Sequence, residues 1–446
     1  HIHIYIDPRL SMPSYNSSFP STVPHKRDLP ALLEAARPFL REELDKVDPD
    51  LPSLVTVLRS AGAGECYHKH GSFLAHLTDV YRILKLWCAP DAVARCGLYH
   101  SAYSNSYVNL AIFDPSTGRD RVRGIIGGPA ERLVHLFCVV PRQTLIHDDL
   151  LFRYYDDELV EHLERSEASL RAAKERGAFD ESEPWRRKLR SLVPAEGMIV
   201  KHIRTGEDTV VPRRVVATFL LMTIADFSDQ YMDFQDKLFE NENGRLELNG
   251  NAWTALWPGT GKPGLYMNSL SRMGALYTLI AREEEIYLEE RKRMSGDEGL
   301  PMPGREEEME LMIPPVFDNC TKVLEAKDQT VGRDYYWEAI CGDWEKEGEK
   351  GWERVEGLLG ESIRRNPFVG EPHLVLGQVY MNQGKYEEAE AAAGKGLRLM
   401  LEWGSSWDKR MSWEGWVAWG RVLSAKAKEK TWPHSSWGIV NLGLVR

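Results

Sequence analysis

The sequence lacks paired cysteines, long apolar runs and an excess of basic residues. Its six cysteines are scattered without a CxxC pair, which argues against a zinc ribbon or a disulfide framework. No apolar run approaches the roughly 20 residues that cross a bilayer, and no basic segment followed by an apolar one opens the chain. We therefore expect a soluble, cytoplasmic protein with reduced cysteines and no membrane association.

Acidic residues outnumber basic ones by 67 to 56, which gives the 446-residue chain a formal charge of -11. The acid is concentrated after residue 280, whereas binding to phosphate backbones needs clustered Lys and Arg. Nucleic acid is therefore not expected as a partner, and a small molecule or a protein is. The 43% hydrophobic content is enough to bury the cores of two or three domains.

Apolar residues recur every three to four positions along most of the chain, which predicts a mainly α-helical fold. Residues 1–28 are expected to be a disordered arm or a remnant foreign to the natural chain. Residues 29–295 form a first helical domain, and residues 296–312, rich in charge, Gly and Pro, form an acidic linker. The best strand-like run is Met198–Ile203. Helices are predicted at 29–39, 72–87, 91–102, 129–139, 155–176, 182–192, 212–239 and 268–294.

The segment Pro372–Leu399 resembles one tetratricopeptide repeat in the spacing of its Gly, Tyr and Ala residues. A lone repeat cannot bury its own faces, so neighbouring helices are expected to stack on it. Residues 313–446 are therefore predicted to be a tetratricopeptide-like helical domain, and the resemblance implies a peptide or protein partner there. The stacking helices are predicted at 334–346, 351–365 and 411–428.

Two neighbouring predicted helices, joined at Pro90, carry His76 near the start of the first and His100 near the end of the second. Neutral imidazole is the commonest metal ligand in proteins, and crossing helices can bring distant residues onto one ion. Asp226 interrupts the apolar helix predicted at 212–239, and a buried carboxylate is costly unless it is paired or metal-bound. We expect these three side chains to bind a divalent transition metal, Fe, Mn or Zn.

The order of these residues resembles the HD superfamily over residues 70–235: a histidine, GLYHS about 24 residues later, and ADFSDQ far downstream. That superfamily includes nucleotide phosphohydrolases, (p)ppGpp hydrolases and inositol oxygenase. The resemblance matches the first histidine of the family to His76, the histidine of its HD pair to His100 and its final aspartate to Asp226. It implies an HD-like helical domain that binds metal.

The sequence departs from the family pattern at the aspartate of the HD pair, which falls on Ser101. A serine hydroxyl is a poor metal ligand at neutral pH. The acidic pair of the (p)ppGpp hydrolases falls on Ser104 and Asn105, so their hydrolytic chemistry is not implied. Two histidines and one aspartate remain, which is the ligand set of the mononuclear Fe(II) oxygenases.

Three functions stay open at this point. The resemblance favours a metal-dependent hydrolase of a phosphate ester or nucleotide-like small molecule, in which the ion lowers the pKa of bound water. The missing carboxylate favours a mononuclear non-heme iron oxygenase that acts on a small polar substrate. A degenerate HD-like core would instead leave a non-catalytic adaptor that binds a peptide through its C-terminal helices.

Further candidates lie close to the expected metal site. His70, which follows His68 in an HxH segment, is a candidate general acid, with an exposed loop histidine as the alternative. Glu131 is a candidate proton acceptor or a partner that orients a ligating imidazole, with a surface ion pair as the alternative. Tyr103 as a catalytic residue and Asn105 as a substrate-binding residue follow His100 and are expected at the mouth of a pocket.

A cationic pair is expected to contact an anionic substrate. Lys262 lies in WPGTGKPG, which lacks the first glycine of a phosphate loop and has Pro263 where Ser or Thr belongs, so a P-loop is not expected. Arg272 follows on the next predicted helix, with a solvated side chain as the alternative. His147, which precedes an aspartate, stands in a loop-like stretch and is rejected as the histidine of an HD pair.

Overall fold

The computed structural model describes residues 27–68, 71–230, 261–295, 310–318 and 322–443. Over these residues the chain is mainly helical, which confirms the predicted fold class. None of the described helices is long and apolar enough to cross a membrane.

Most described helices match the predicted stretches, but α2, α5 and α16 were not predicted, and α11 begins eight residues before the predicted 334–346. Residues 231–239 of the predicted helix 212–239 lie outside the described residues. The first eight are α1 (Leu29–Leu40), α2 (Leu51–Ser60), α3 (Phe73–Leu86), α4 (Asp91–Leu98), α5 (Arg119–Ile126), α6 (Gly128–Val139), α7 (Asp156–Arg176) and α8 (Pro184–Leu192). The others are α9 (Arg213–Gln230), α10 (Met267–Ser295), α11 (Ala326–Cys341), α12 (Glu349–Arg365), α13 (Glu371–Asn382), α14 (Tyr386–Trp403), α15 (Trp413–Glu429) and α16 (Ser436–Val440).

Strands form only two short antiparallel pairs within the described residues. β1 (Tyr67–His68) pairs with β2 (Gly71–Ser72), directly before α3. β3 (Met198–Lys201) pairs with β4 (Asp208–Val211), which confirms the strand predicted from Met198. The first pair places His68 beside the start of α3.

Local capping residues fix where the two histidine-bearing helices begin. The Ser72 hydroxyl accepts a hydrogen bond from the backbone N–H of Ala75 at 3.1 Å, and so caps the first turn of α3. Pro90 precedes α4 and Asp91 opens it, which places a carboxylate at the positive end of the helix dipole. These caps set the register of His76 and His100 relative to the helix ends.

α4 approaches α3 closely because a glycine lies at the crossing. A Cβ atom on Gly97 would lie 2.4 Å from a methyl carbon of Leu84 on α3, so a larger residue would push the helices apart. The approach brings the C-terminal end of α4, where His100 follows, against α3.

α9 runs through the interior of the fold, and every one of its residues is buried. Such a helix has no solvated face, and it packs against α3, α4 and α10. Its two carboxylates, Asp226 and Asp229, therefore have almost no access to water and need partners inside the protein.

One apolar core extends from Leu51 to Trp407, across the predicted boundary between the domains. The Trp87 indole donates to the Glu402 carbonyl at 2.8 Å, and the Arg82 guanidinium donates to the Gly404 carbonyl at 3.0 and 2.9 Å. The C-terminal helices thus pack directly behind α3. The division into domains stays a prediction, although this core is shared.

The predicted linker is only partly within the described residues. Residues 296–309 lie outside them, while Leu311 and Met312 are buried. These two residues, the last of the predicted linker, pack into the protein interior, and the linker itself stays a prediction.

The C-terminal helices stack in chain order, as expected from the repeat-like segment. α12 packs on α13, α13 on α14, and α14 on α15. Buried Glu371 joins the stack to the following loop, because its carboxylate accepts the backbone N–H groups of Trp407 at 2.6 Å and Asp408 at 3.1 Å. The assignment to the tetratricopeptide type stays a prediction.

Candidate metal site

His76 lies on the buried face of α3, and both of its ring nitrogens face carboxylates of α9. Its Nδ1 is 2.7 Å from Oδ2 of Asp229, and its Nε2 is 3.0 Å from Oδ1 of Asp226. The ring also stacks on the half-buried ring of His68, with centroids 4.5 Å apart. When the ring is neutral, its hydrogen on Nδ1 is held by Asp229 and the Nε2 lone pair faces Asp226. When the ring is protonated, Nε2 donates to Asp226.

His100 approaches the same carboxylate from the end of α4. Its Nδ1 lies 2.7 Å from the Gly97 carbonyl, so Nδ1 carries the hydrogen in that bond and Nε2 keeps its lone pair. Nε2 is 3.8 Å from Oδ1 of Asp226. Gly97 therefore has two roles: its lack of a side chain permits the close helix crossing, and its carbonyl orients the His100 imidazole.

The ligand atoms of His76, His100 and Asp226 all lie within 4.8 Å of one another, and all three residues are buried. In the described part of the chain this is the one group of three or more His, Cys, Asp or Glu residues so placed. The sequence prediction that these three side chains meet agrees with this geometry, and the cluster could hold a metal ion.

The protonation of the cluster follows from burial and charge. Burial lowers the pKa of His100 to about 4, which keeps the imidazole neutral. Burial also lowers the pKa of His76, but hydrogen bonds to Asp226 and Asp229 outweigh that effect and raise it to about 9. Burial raises the pKa of Asp226, yet the hydrogen bond to His76 and nearby positive charge reverse this and hold it well below its usual range.

Ser101, which follows His100, is buried and has a neutral partner. Its hydroxyl accepts a hydrogen bond from the Asn105 amide at 2.9 Å. The Asn105 carbonyl oxygen in turn accepts from Nη2 of Arg142 at 3.2 Å. Asn105 is therefore buried within the site rather than at its mouth.

Arg142 is the principal feature that sequence reasoning missed. Its Nη1 lies 3.3 Å from Oδ2 of Asp226, and its guanidinium lies over the rings of Tyr107 and Phe137 at 4.5 and 4.3 Å. The side chain is 2% exposed, and its Nε has no hydrogen-bond partner. The sequence offered no signal for it, because an arginine after Pro141 resembles a loop residue.

Glu131 and Tyr103 lie together but are engaged with each other and with arginines. The Tyr103 hydroxyl donates to Oε1 of Glu131 at 2.8 Å, and Arg119 donates to both carboxylate oxygens at 2.8 and 3.0 Å. Burial raises the pKa of Glu131, but these hydrogen bonds reverse the shift, so its pKa is lowered and the carboxylate is a weak base. The structure thus places Glu131 in an ion pair, which is buried rather than on the surface.

Lys262 and Arg272 both pair with other groups of the protein. Lys262 forms an ion pair with Asp334, with Nζ 2.9 Å from Oδ1. Arg272 is buried and donates to the carbonyls of Leu151 and Tyr154 at 2.7 and 2.9 Å, so the solvated alternative is wrong for it. The proposed contact of these two side chains with an anionic substrate stays a prediction.

Two further histidines were considered from the sequence, His70 and His147. His70 lies outside the described residues, so its predicted role stays a prediction. His147 lies in a π-helical turn, Gln143–Asp148, rather than in the expected loop, and is fully buried between the rings of Phe152 and Phe227. Neither of its ring nitrogens has a hydrogen-bond partner.

These features describe a helical protein with a buried His/His/Asp cluster. A family model described as a domain of unknown function, DUF6817, matches residues 57–142. The matched segment includes His76, His100 and Arg142 and ends before Asp226. No curated protein and no solved structure matches the chain.

Proposed function

We propose that the protein is a metal-dependent hydrolase of a phosphate ester or nucleotide-like small molecule, with one divalent transition ion on His76, His100 and Asp226. The observation that carries the proposal is the orientation of both imidazoles. Each Nδ1 is held by an oxygen acceptor, at Asp229 and at Gly97, which leaves both Nε2 atoms facing one carboxylate. Ligating histidines are almost always fixed in this way through their second nitrogen.

The donor set fits Fe, Mn or Zn. Two imidazole nitrogens and one carboxylate oxygen suit these ions better than Mg²⁺ or Ca²⁺, which prefer oxygen ligands alone. Three protein ligands leave positions open for water and substrate. An ion of this class supplies acidity to a bound water and polarises a phosphoryl oxygen.

Buried polar atoms near the cluster support an anionic substrate. Arg142 has an Nε without a partner, and both ring nitrogens of His147 are also without one. An unpaired buried donor, such as the Arg142 Nε–H or the single N–H of a neutral His147 ring, costs about 1–3 kcal/mol, a cost that an oxygen-rich ligand would remove. In this proposal the guanidinium of Arg142 positions the anionic group, while the Tyr107 and Phe137 rings exclude water from it.

The surroundings of Asp226 support one ion rather than two. A second ion would have to bind Oδ2 of Asp226, but the positively charged Arg142 guanidinium already lies 3.3 Å from that oxygen. The neutral Ser101 hydroxyl adds no negative charge that could hold a second ion. The same observation favours a second candidate function. A single ion held by two histidines and one carboxylate is the site of the non-heme iron oxygenases.

The proposal also rests on the resemblance to the HD superfamily, in which hydrolases predominate. Its three matched positions, His76, His100 and Asp226, are the residues whose ligand atoms meet in the structure. A shared fold alone does not fix a reaction, so the experiment must separate hydrolysis from oxygenation.

The test begins with metal analysis of the purified protein. We expect about one equivalent of Fe, Mn or Zn in the wild type and none in His100→Ala. His162→Ala serves as the matched control, because His162 is equally buried but lies on α7 outside the cluster. We then expect phosphate release from small phosphate esters with the native metal.

Two outcomes would overturn the hydrolase. Oxygen consumption by the Fe(II) protein without phosphate release would establish the second candidate. Less than about a tenth of an equivalent of metal, with no rise in melting temperature when Fe, Mn or Zn is added, would remove the metal site altogether, since binding stabilises the folded state by mass action. The adaptor function would then stand.

A further inference from the structure

The side-chain amide of Gln230 lies at the point where the three candidate ligands meet. Its Nε2 is 3.2 Å from Nε2 of His76 and donates a hydrogen bond to Oδ1 of Asp226. Its Oε1 is 3.2 Å from Nε2 of His68. Gln230 is buried and follows Asp226 by one helical turn on α9, so both side chains project from the same face.

The two ends of this amide have opposite electrostatic character. The NH₂ end donates to Asp226 and, when His76 is neutral, also faces the lone pair of its Nε2; this is the orientation present in the structure. A cation at that point would repel the NH₂ hydrogens. A half-turn about the last side-chain torsion exchanges the oxygen and the nitrogen, and that torsion has a broad, nearly two-fold profile.

We propose that Gln230 is a fourth ligand of the metal ion, through Oε1, and that His68 receives the NH₂ group when the amide turns. This inference rests on the proposed metal site and extends its ligand set. An amide oxygen adds a donor without adding charge, so a divalent ion beside the single carboxylate of Asp226 keeps a net positive charge. That charge is what attracts an anionic substrate.

His68 is positioned for this exchange. Its ring stacks on His76, and its Nε2 already faces the outer end of the amide. In the present orientation Nε2 of His68 donates to Oε1 of Gln230, whereas after the turn it accepts from the NH₂ group. Metal binding should therefore move the His68 hydrogen from Nε2 to Nδ1, which leaves a spectroscopic signature on a residue that need not touch the ion.

The first experiment measures metal affinity in the full chain. Zn²⁺ and Co²⁺ dissociation constants are determined by chelator competition for the wild type, Gln230→Leu and Gln230→Glu. We expect Gln230→Leu to weaken binding at least about tenfold, and Gln230→Glu to strengthen it, because the number of charged ligands sets affinity. The Co²⁺ absorption spectrum of Gln230→Leu should also change, since it reports coordination number.

Gln329→Leu is the matched control. Gln329 is also a buried glutamine, but it accepts the Asn268 backbone N–H away from the cluster. Its loss should change the melting temperature without changing metal affinity or the Co²⁺ spectrum. Far-UV circular dichroism verifies that each variant is folded before its affinity is compared.

The second measurement is the ¹⁵N chemical shift of the His68 ring in the metal-free and Zn²⁺-bound protein. We expect the hydrogen-bearing nitrogen to change from Nε2 to Nδ1, and the change to be absent in Gln230→Leu.

Wild-type affinity and an unchanged Co²⁺ spectrum in Gln230→Leu would overturn the fourth ligand while leaving the metal site intact. Failure of the wild type to bind metal would instead overturn the proposed function, so the two results are distinguishable.

Discussion

Replacing Asp229 by asparagine tests how the site orients its first histidine. The Asp229 carboxylate lies 2.7 Å from Nδ1 of His76, a short distance typical of a charge-assisted hydrogen bond. Such bonds are worth about 1.5–3 kcal/mol, and removing the partner of a ligating histidine typically costs 10–100-fold in metal affinity, or about 1.4–2.7 kcal/mol. Asparagine keeps an acceptor oxygen and loses the charge, so we expect about a tenfold loss.

The loss should depend on pH. A proton on Nε2 competes with the ion, and the pKa of His76 is about 9, so wild-type affinity is reduced at pH 7 and rises towards pH 9. Removing the Asp229 charge lowers that pKa and relieves the competition at pH 7. The affinity ratio between wild type and Asp229→Asn should therefore be larger at pH 9 than at pH 7.

Chelator competition with Zn²⁺ at both pH values provides the assay. Asp48→Asn is the control, because Asp48 is a similarly buried carboxylate that pairs with Arg95 at 2.8 Å outside the cluster. It should lower stability and leave metal affinity unchanged. Equal Zn²⁺ affinity of Asp229→Asn and wild type at pH 9 would refute the orienting role of Asp229.

Three further outcomes are expected. His100→Ala and Asp226→Ala should each abolish metal binding while His147→Ala retains it, as measured by elemental analysis; equal losses from all three would contradict the ligand assignment. Burial raises the pKa of Glu371 to about 7. The folded protein therefore holds this proton more tightly than the unfolded chain, and the free energy of unfolding should fall by up to about 3 kcal/mol as pH rises from about 4.5 past 7. Denaturant titrations at each pH should show this loss in the wild type and not in Glu371→Gln. Leu86→Ala, in the cluster that joins α3 to the C-terminal helices, should cost about 2–5 kcal/mol in one cooperative transition, and two separate transitions would show independent domains.

The helices could be predicted from the sequence because their apolar residues recur at helical spacing. Three helices were missed for different reasons: α2 mixes β-branched residues with a proline start, α5 is short and half of its residues are charged, and α16 has only five residues. The position and order of the longer helices could therefore be predicted from the local pattern of apolar residues. Short helices, which depend on tertiary packing for their stability, could not.

The candidate ligands could be predicted because their signals are local. Asp226 stands out as a carboxylate in an apolar helix, and His76 and His100 flank a recognisable helix junction. The partners that make the cluster a candidate site are not local: Arg142 reaches Asp226 across 84 residues of sequence, and Asp229 reaches His76 across 153. No periodicity in one sequence encodes such pairings.

The two hydrogen bonds from Arg82 to the Gly404 carbonyl have a consequence for how the protein is made. Arg82 lies less than two helical turns after His76 on α3, and its bonds to Gly404 close a gap of 322 residues in sequence. During synthesis α3 emerges early, but its hydrogen bonds to Gly404 can form only after the ribosome has added those residues. If the protein binds the proposed ion, we therefore expect binding to follow the synthesis of Gly404 rather than to occur while α3 is emerging.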